Sequence, residues 1–232
     1  MPNYTYDGAA SVRGVALRAT RLDATGAPDE VADCGSYLSH GFIRFAFTPE
    51  YSEGDEIEVK NAAGEVCVLY KMPDTLKQIT FTLELCDPDP VLTELLVGGD
   101  VLFDQVDATK ALGYASAETG LETVPNGVAI EVWATAIQGG KAAADKPFWH
   151  YLFPWAKMQL TGERALENGN LATVFEGRGV GNEAFGAGPE LTGYTGQYLW
   201  PFPAFSTRPY SYSRVDEAPI SVAGCQTIVA TP

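Results

Sequence analysis

In the eight residues from Gln78 to Leu85, Ile79, Phe81, Leu83 and Leu85 occupy every second position, with Gln78, Thr80, Thr82 and Glu84 between them. Successive side chains of a strand point to opposite faces, so this two-residue period puts all four apolar groups on one face, whereas a helix would scatter them. The period recurs along the chain. Between Val12 and Leu22, Val15, Leu17 and Ala19 alternate with Ala16, Arg18 and Thr20; from Phe42 to Phe47, Ile43, Phe45 and Phe47 share a face opposite Arg44. After Gly127, Val128, Ile130, Val132 and Ala134 alternate with positions that include the polar Glu131 and Thr135. Each run predicts a strand buried on one face only. Met158 with Leu160, and Leu171 with Thr173 and Phe175, suggest two more strands. Ile57 and Val59 alternate with Glu56, Glu58 and Lys60, Asn61-Ala-Ala-Gly64 supplies a turn, and Val66, Val68 and Tyr70 return, which predicts a hairpin.

A single helix is signalled, at Asp89 to Gly98, with Asp89 as N-cap, Pro90 at the first helical position, Gly98 as terminator and Leu92, Leu95 and Leu96 on one face. Helix and strand do not alternate regularly, which disfavours a doubly wound α/β fold and predicts a mainly β, antiparallel protein. From Glu176 onward the chain is rich in Gly, Pro and Tyr, as in Gly186-Ala-Gly-Pro189 and Trp200-Pro-Phe-Pro203, and reads as extended and irregular. The expected organisation is a β domain over residues 1–176 with one helix near 89–97, and a C-terminal segment over 177–232 that packs on the domain or on neighbouring subunits.

Apolar residues make up 46% of the 232, enough for a core, and 30 acidic against 15 basic residues give a formal charge of −15. No basic surface of the kind that neutralises nucleic-acid phosphates is expected. Met-Pro-Asn-Tyr at the N-terminus lacks the charged and apolar regions of an export signal, and no run approaches the roughly 20 apolar residues of a bilayer span. A soluble chain that does not bind membranes is the expectation. Cys34, Cys67, Cys86 and Cys225 form no Cys-x-x-Cys pair and have no histidines placed for zinc. Cys67 and Cys86 lie in strand-like runs and read as small, reduced core residues; a disulfide is possible but not indicated.

Few residue patterns carry chemistry. Gly177-Arg-Gly-Val-Gly181 follows a strand-like run, but no helix follows it to receive a phosphate, so it reads as a flexible turn. His40 and His150 are far apart and neither neighbours a nucleophile signature. Glu50, Glu53, Asp55, Glu56 and Glu58 concentrate five carboxylates in nine residues, yet lack the regular Asp/Asn alternation of a calcium loop, and read as a solvated acidic segment. No catalytic site, metal or cofactor is expected. Aromatics cluster at Phe148-Trp-His-Tyr-Leu-Phe-Pro-Trp155 and from Tyr194 to Tyr212, where they either close a core or anchor a protein interface.

Val12-Arg-Gly-Val-Ala-Leu-Arg-Ala-Thr-Arg-Leu-Asp23, Glu53-Gly-Asp-Glu-Ile-Glu-Val-Lys-Asn-Ala-Ala-Gly-Glu-Val-Cys-Val68, Tyr151-Leu-Phe-Pro154, Leu166-Glu-Asn-Gly-Asn170 and Phe175-Glu-Gly177 occur in this order. Together they resemble the major tail (tail tube) proteins of long-tailed, siphovirus-type actinobacterial phages, over most of residues 12 to 177. The resemblance implies an antiparallel β-sandwich or partly closed barrel with one short flanking helix. It also implies a virion structural protein, assembled in the host cytoplasm and not an enzyme. Six copies would form a hexameric ring, rings would stack into a tube, and tape-measure and tail terminator or tip proteins would be partners. DNA would pass through transiently and non-specifically during ejection. On this reading the lumen is expected to be net negative, and Glu50, Glu53, Asp55, Glu56 and Glu58, with the hairpin they lead into, form a candidate inter-subunit loop. The competing expectation is a β-sandwich recognition module of a phage tail tip or surface that binds host carbohydrate through exposed aromatics. A hydrolase is a third.

Overall fold

A computed structural model describes residues 8–31, 34–120, 124, 126–162, 173–186, 190–191, 208–216, 218 and 223–229. In chain order the elements are β1 (Ala10–Arg21), β2 (Ser36–Ser39), β3 (Phe42–Ser52), β4 (Glu56–Lys60), β5 (Val66–Lys71), β6 (Thr75–Leu85), α1 (Pro90–Val97), β7 (Asp100–Phe103) and β8 (Ala111–Ala115). They continue with β9 (Val128–Gln138), β10 (Lys141–Ala142), β11 (Phe148–Leu160), β12 (Thr173–Gly179), β13 (Glu190–Leu191), β14 (Ser211–Val215), β15 (Gly224–Gln226) and β16 (Ile228–Val229). The protein is mainly β, with one antiparallel ten-stranded sheet in the order β15-β2-β1-β9-β11-β12-β6-β3; β10 joins β9 and β14 joins β11. The pairs β4-β5, β7-β8 and β13-β16 stand apart from it.

The sheet does not close by hydrogen bonds, but it coils until the Phe42 ring of β3 lies against Gly14 of β1, where a Cβ would come within 2.3 Å of the ring. Inside the coil lies the main core. Leu17, Ile79, Leu83, Leu85, Val128, Ile130, Phe153 and Phe175 are fully or almost fully buried there with Leu92, Leu95 and Leu96 of α1. Phe153 is the aromatic centre, its ring 5.0 to 5.3 Å from those of Phe81, Phe47 and Phe45, close to the separations of favourable edge and tilted pairs. The helix forms where its signals place it. Asp89 Oδ1 accepts from the N–H groups of Val91 and Leu92 at 3.1 Å each, while its Oδ2 accepts from Tyr37 Oη at 2.6 Å. Burial, then the Asp89 carboxylate, push the Tyr37 hydroxyl well above its ordinary pKa. Asp89→Ala is expected to cost about 1–2 kcal/mol in urea unfolding, with Asp89→Asn retaining most of the cap.

Three sequence readings are corrected. Ile43 is exposed rather than inward, because a register shift between Phe42 and Arg44 turns the chain locally and leaves Phe42, Phe45 and Phe47 on the core side. The 177–181 glycines do not make a flexible turn: Gly177 and Gly179 lie in β12, where a Cβ would meet Lys157 O at 2.4 Å and the Phe81 ring at 2.6 Å, so their bareness lets β12 press against β11 and β6. Cys67 and Cys86 are exposed thiols rather than core residues, while Cys34 and Cys225 are joined in a disulfide.

The central strands also differ from the one-sided burial expected. From Ala16 to Thr20 both faces of β1 are buried, and so are both faces of β9 from Val128 to Ala134. The second face is covered by the C-terminal segment. Phe185 packs with Leu22, Ala129 and Leu152, and Ala218 with Ala16, Leu38 and Trp133. The segment contributes strands as well, β14 pairing with the first half of β11 and β15 with β2. Pro154 lies where the β11–β9 register breaks, a place in a ladder that tolerates the missing N–H. Of the Tyr194–Tyr212 cluster, residues 194–207 lie outside the described residues; Tyr210 packs on Phe47 and Phe153, and Tyr212 on Trp149 and Tyr151.

Candidate assembly surface

The predicted hairpin is present as β4 and β5, with Asn61 Oδ1 accepting from the N–H groups of Ala63 and Glu65, and Gly64 at φ 84° closing the turn. Its register pairs Ile57 with Tyr70 and Val59 with Val68, so these four share one face, while Glu56 opposite Lys71 and Glu58 opposite Leu69 share the other. Among the described residues nothing covers the apolar face. Ile57, Val59, Val68 and Tyr70 are between 44% and 54% exposed, and Tyr51, Met72 and Leu76, in the chain leading into and out of the arm, are exposed as well. A two-stranded ribbon is marginal in water unless a hydrophobic face is covered. An amphipathic arm with an open apolar face is the feature of a protein-binding element.

The five acidic residues flagged in the sequence lie along the base and polar face of this arm. Glu50, on β3, accepts from the Gln78 amide and has Lys77 at 3.6 Å; the Gln78 donation, with a smaller contribution from Lys77, holds its carboxyl below the usual range. Glu53 pairs with Lys71 at 2.8 Å and Glu58 with Lys60 at 3.1 Å. Asp55 accepts the Met72 N–H through its backbone carbonyl, and Glu56 stands opposite Lys71 across the hairpin. Glu50, Glu53 and Glu58 thus each engage a different lysine rather than converging, and among the described residues no three His, Cys, Asp or Glu side chains group as metal ligands. Sequence reading singled out these acids and missed the apolar face beside them. The signal was in the Ile57/Val59 and Val66/Val68/Tyr70 alternation, which pointed to a face that needs covering but not to who covers it.

A second surface is polar. The outward residues of β3, β6, β12 and the end of β11 form an open trough of about 640 Å3 that includes Thr48, Thr80, Thr82, Lys157, Glu176 and Arg178. Cross-strand register places Arg44, Lys157 and Arg178 on this face together with Glu50, Glu84 and Glu176. Cations and carboxylates are equal in number here, so the acidity of the chain is not concentrated on this face.

The two histidines separate. His40 is exposed, with Nδ1 3.0 Å from Val15 O, whereas His150 is buried in a charged cluster on the second face of the sheet. Arg18 Nε donates to Glu131 Oε2 at 2.6 Å, and His150 Nε2 lies 3.1 Å from Glu131 Oε1. The His150 ring stacks on Trp133 at 4.6 Å and the Arg18 guanidinium lies 5.4 Å from the Trp133 centroid. Arg18, Glu131 and His150 are 1%, 0% and 2% exposed, which removes them from contact with any substrate. Burial pushes the Glu131 carboxyl up, but Arg18 and His150 outweigh it and hold the group below its ordinary range.

No protein-family model matches the chain, and no curated protein matches it. Among solved structures, the chain is similar to one in the "Cryo-EM Structure of an Extracellular Contractile Injection System, PVC sheath-tube complex in extended state", at 13% identity and a TM-score of 0.28, with 70% of this chain and 83% of that chain covered.

Proposed function

We propose that this protein is a non-catalytic structural subunit that assembles with copies of itself into stacked rings, in the manner of the phage tail tube proteins its sequence resembles. The observation that carries the reading is the β4–β5 arm, whose Ile57, Val59, Val68 and Tyr70 form an apolar face without a floor among the described residues. A second copy would supply that floor. Sheet topology supports the same reading: among the described residues β3 is paired only on its β6 side, and an open strand edge is an aggregation hazard unless a neighbour covers it. Pro49 within β3 suits such an edge position. In the assembly we place the trough toward the conduit, because the six charged residues on its face favour contact with water. Its three cations and three carboxylates would give a wall without a continuous basic strip, over which DNA could slide. This differs from the net-negative lumen expected from the overall charge of −15.

Negative-stain microscopy of the purified protein tests the reading. Rings or tubes with walls about one domain thick are expected, and Ile57→Asp combined with Val68→Asp should abolish them while leaving the thermal midpoint unchanged, since neither residue contacts the core. Monodisperse wild-type monomers at every concentration would overturn it, and monomers or trimers that bind glycans would establish the recognition-module alternative.

A further inference from the structure

Four neighbouring strands of the ten-stranded sheet each place one residue in a row across its polar face. Lys157 of β11 pairs with Arg178 of β12, Arg178 with Thr80 of β6, and Thr80 with Thr48 of β3. All four line the trough, and with strands about 4.8 Å apart the row is about 14 Å long. Its two cations are direct cross-strand neighbours, with Cβ atoms about 4.5–5.5 Å apart, an arrangement that destabilises a sheet unless an anion offsets it. Arg178 is exposed and, among the described residues, makes no ion pair. The next residue on the same face of β12 is Glu176, which stands opposite Gln159 on one side and Thr82 on the other. Across the strands, therefore, the row carries cations and hydroxyls, and only along β12 does a carboxylate follow. At the far end Thr80 Oγ1 donates to Thr48 O at 3.3 Å, which leaves the Thr48 hydroxyl as the donor there.

We propose that the row of Lys157, Arg178, Thr80 and Thr48 is a binding site for a phosphate group, seated over the two cations, with any attached chain lying across the strands. An anion between Lys157 and Arg178 turns their mutual repulsion into two charge-assisted attractions. The planar Arg178 guanidinium can hold two oxygens of a tetrahedral anion and the Lys157 ammonium a third. The trough, at about 640 Å3, falls within the range of small-ligand sites and admits more than a lone ion. Free phosphate and the phosphodiester of a nucleic acid share this chemistry. A ligand running across the strands keeps clear of Glu176, whereas one running along β12 is repelled by it, so binding has a direction. One such row per chain is a single point of contact rather than a continuous basic strip, and it does not depend on assembly or on the trough lining a conduit.

Phosphorus NMR of inorganic phosphate with the full-length protein tests this, since the phosphate line broadens on binding whether the protein is a monomer or an assembly. Broadening should saturate, and the apparent Kd should rise on the order of tenfold in Lys157→Gln and in Arg178→Gln, each of which removes one charge-assisted contact. Glu176→Gln should lower it. Melting curves check that the variants fold. In phosphate-free buffer both cation variants should melt no lower than wild type, because each relieves the like-charge pair. Phosphate, compared with chloride at equal ionic strength, should raise the wild-type Tm more than that of either variant. Single-stranded oligothymidylate separates the two sources. Displacement of phosphate by the oligonucleotide, weakened in the same two variants, would establish a phosphodiester site; saturable phosphate binding that the oligonucleotide leaves intact would establish a site for free phosphate. Broadening that does not saturate, or that is unchanged in Arg178→Gln, would mean an adventitious ion only and would overturn the proposal.

Discussion

Glu131→Ala should lower the unfolding free energy by about 3–5 kcal/mol, the range measured when one partner of a buried ion pair is removed and the other charge is left without compensation. Arg18 is the group left behind. It is 1% exposed, its Nε–H is spent on Glu131 Oε2, and the Trp133 ring 5.4 Å away offers only a weak substitute for a carboxylate. Replacing both partners with apolar residues, Arg18→Met with Glu131→Leu, is expected to recover most of the loss, because no buried charge then remains unpaired. Chemical denaturation of the two variants beside wild type checks both statements. The pH dependence supplies a separate readout. The folded pKa of Glu131 is depressed from its ordinary value of 4.5, so its contribution is present in full above that value and is lost as pH falls through the folded pKa. Below about pH 4.5, wild type should lose stability more steeply than Glu131→Gln. Equal acid slopes for the two would mean that Glu131 is not held ionised by its partners.

Phe153→Ala should cost about 3–5 kcal/mol, the usual range for removing a large aromatic side chain from a close-packed core. Phe153 is fully buried, and the rings of Phe45, Phe47, Phe81 and Tyr210 surround it from β3, β6 and the chain leading into β14. The adjacent strands β3 and β6 and the chain before β14 all press these rings onto β11, so collapse around the vacancy would require strands to move, and little of the cavity term should be relieved. Phe153→Leu should cost considerably less, since it keeps much of the volume. A loss below about 1 kcal/mol in Phe153→Ala would show that the coil is looser than the ring distances imply.

What could be read from the amino-acid order follows from how local each signal is. The strands at Ala10–Arg21, Phe42–Ser52, Thr75–Leu85 and Val128–Gln138 announce themselves through a two-residue period. The α1 cap is a contact between residues two and three positions apart, and the β4–β5 turn is closed by Asn61 and Gly64. All of these are decided by neighbouring residues, so the chain alone determines a mainly antiparallel β protein with one short helix. The Phe148–Leu160 strand was harder to see, because residues in it pack on both faces and its run of aromatics has no alternation to reveal it.

Tertiary structure decided the rest, wherever the partner is distant in sequence. Arg18 and Glu131 look like the solvated residues of half-buried strands until 113 positions of chain bring them into one pair and the C-terminal segment covers them. Cys34 and Cys225 give no local sign of pairing, since only the seating of β15 on β2 brings them together. The arm shows the converse. Its alternating sequence demands a buried face, and the described residues leave that face open, because burial depends on which surface arrives. A period of two tells a strand which side is apolar; whether that side meets its own core, its own C-terminus or a second copy of the protein is settled only by what the rest of the molecule places opposite it.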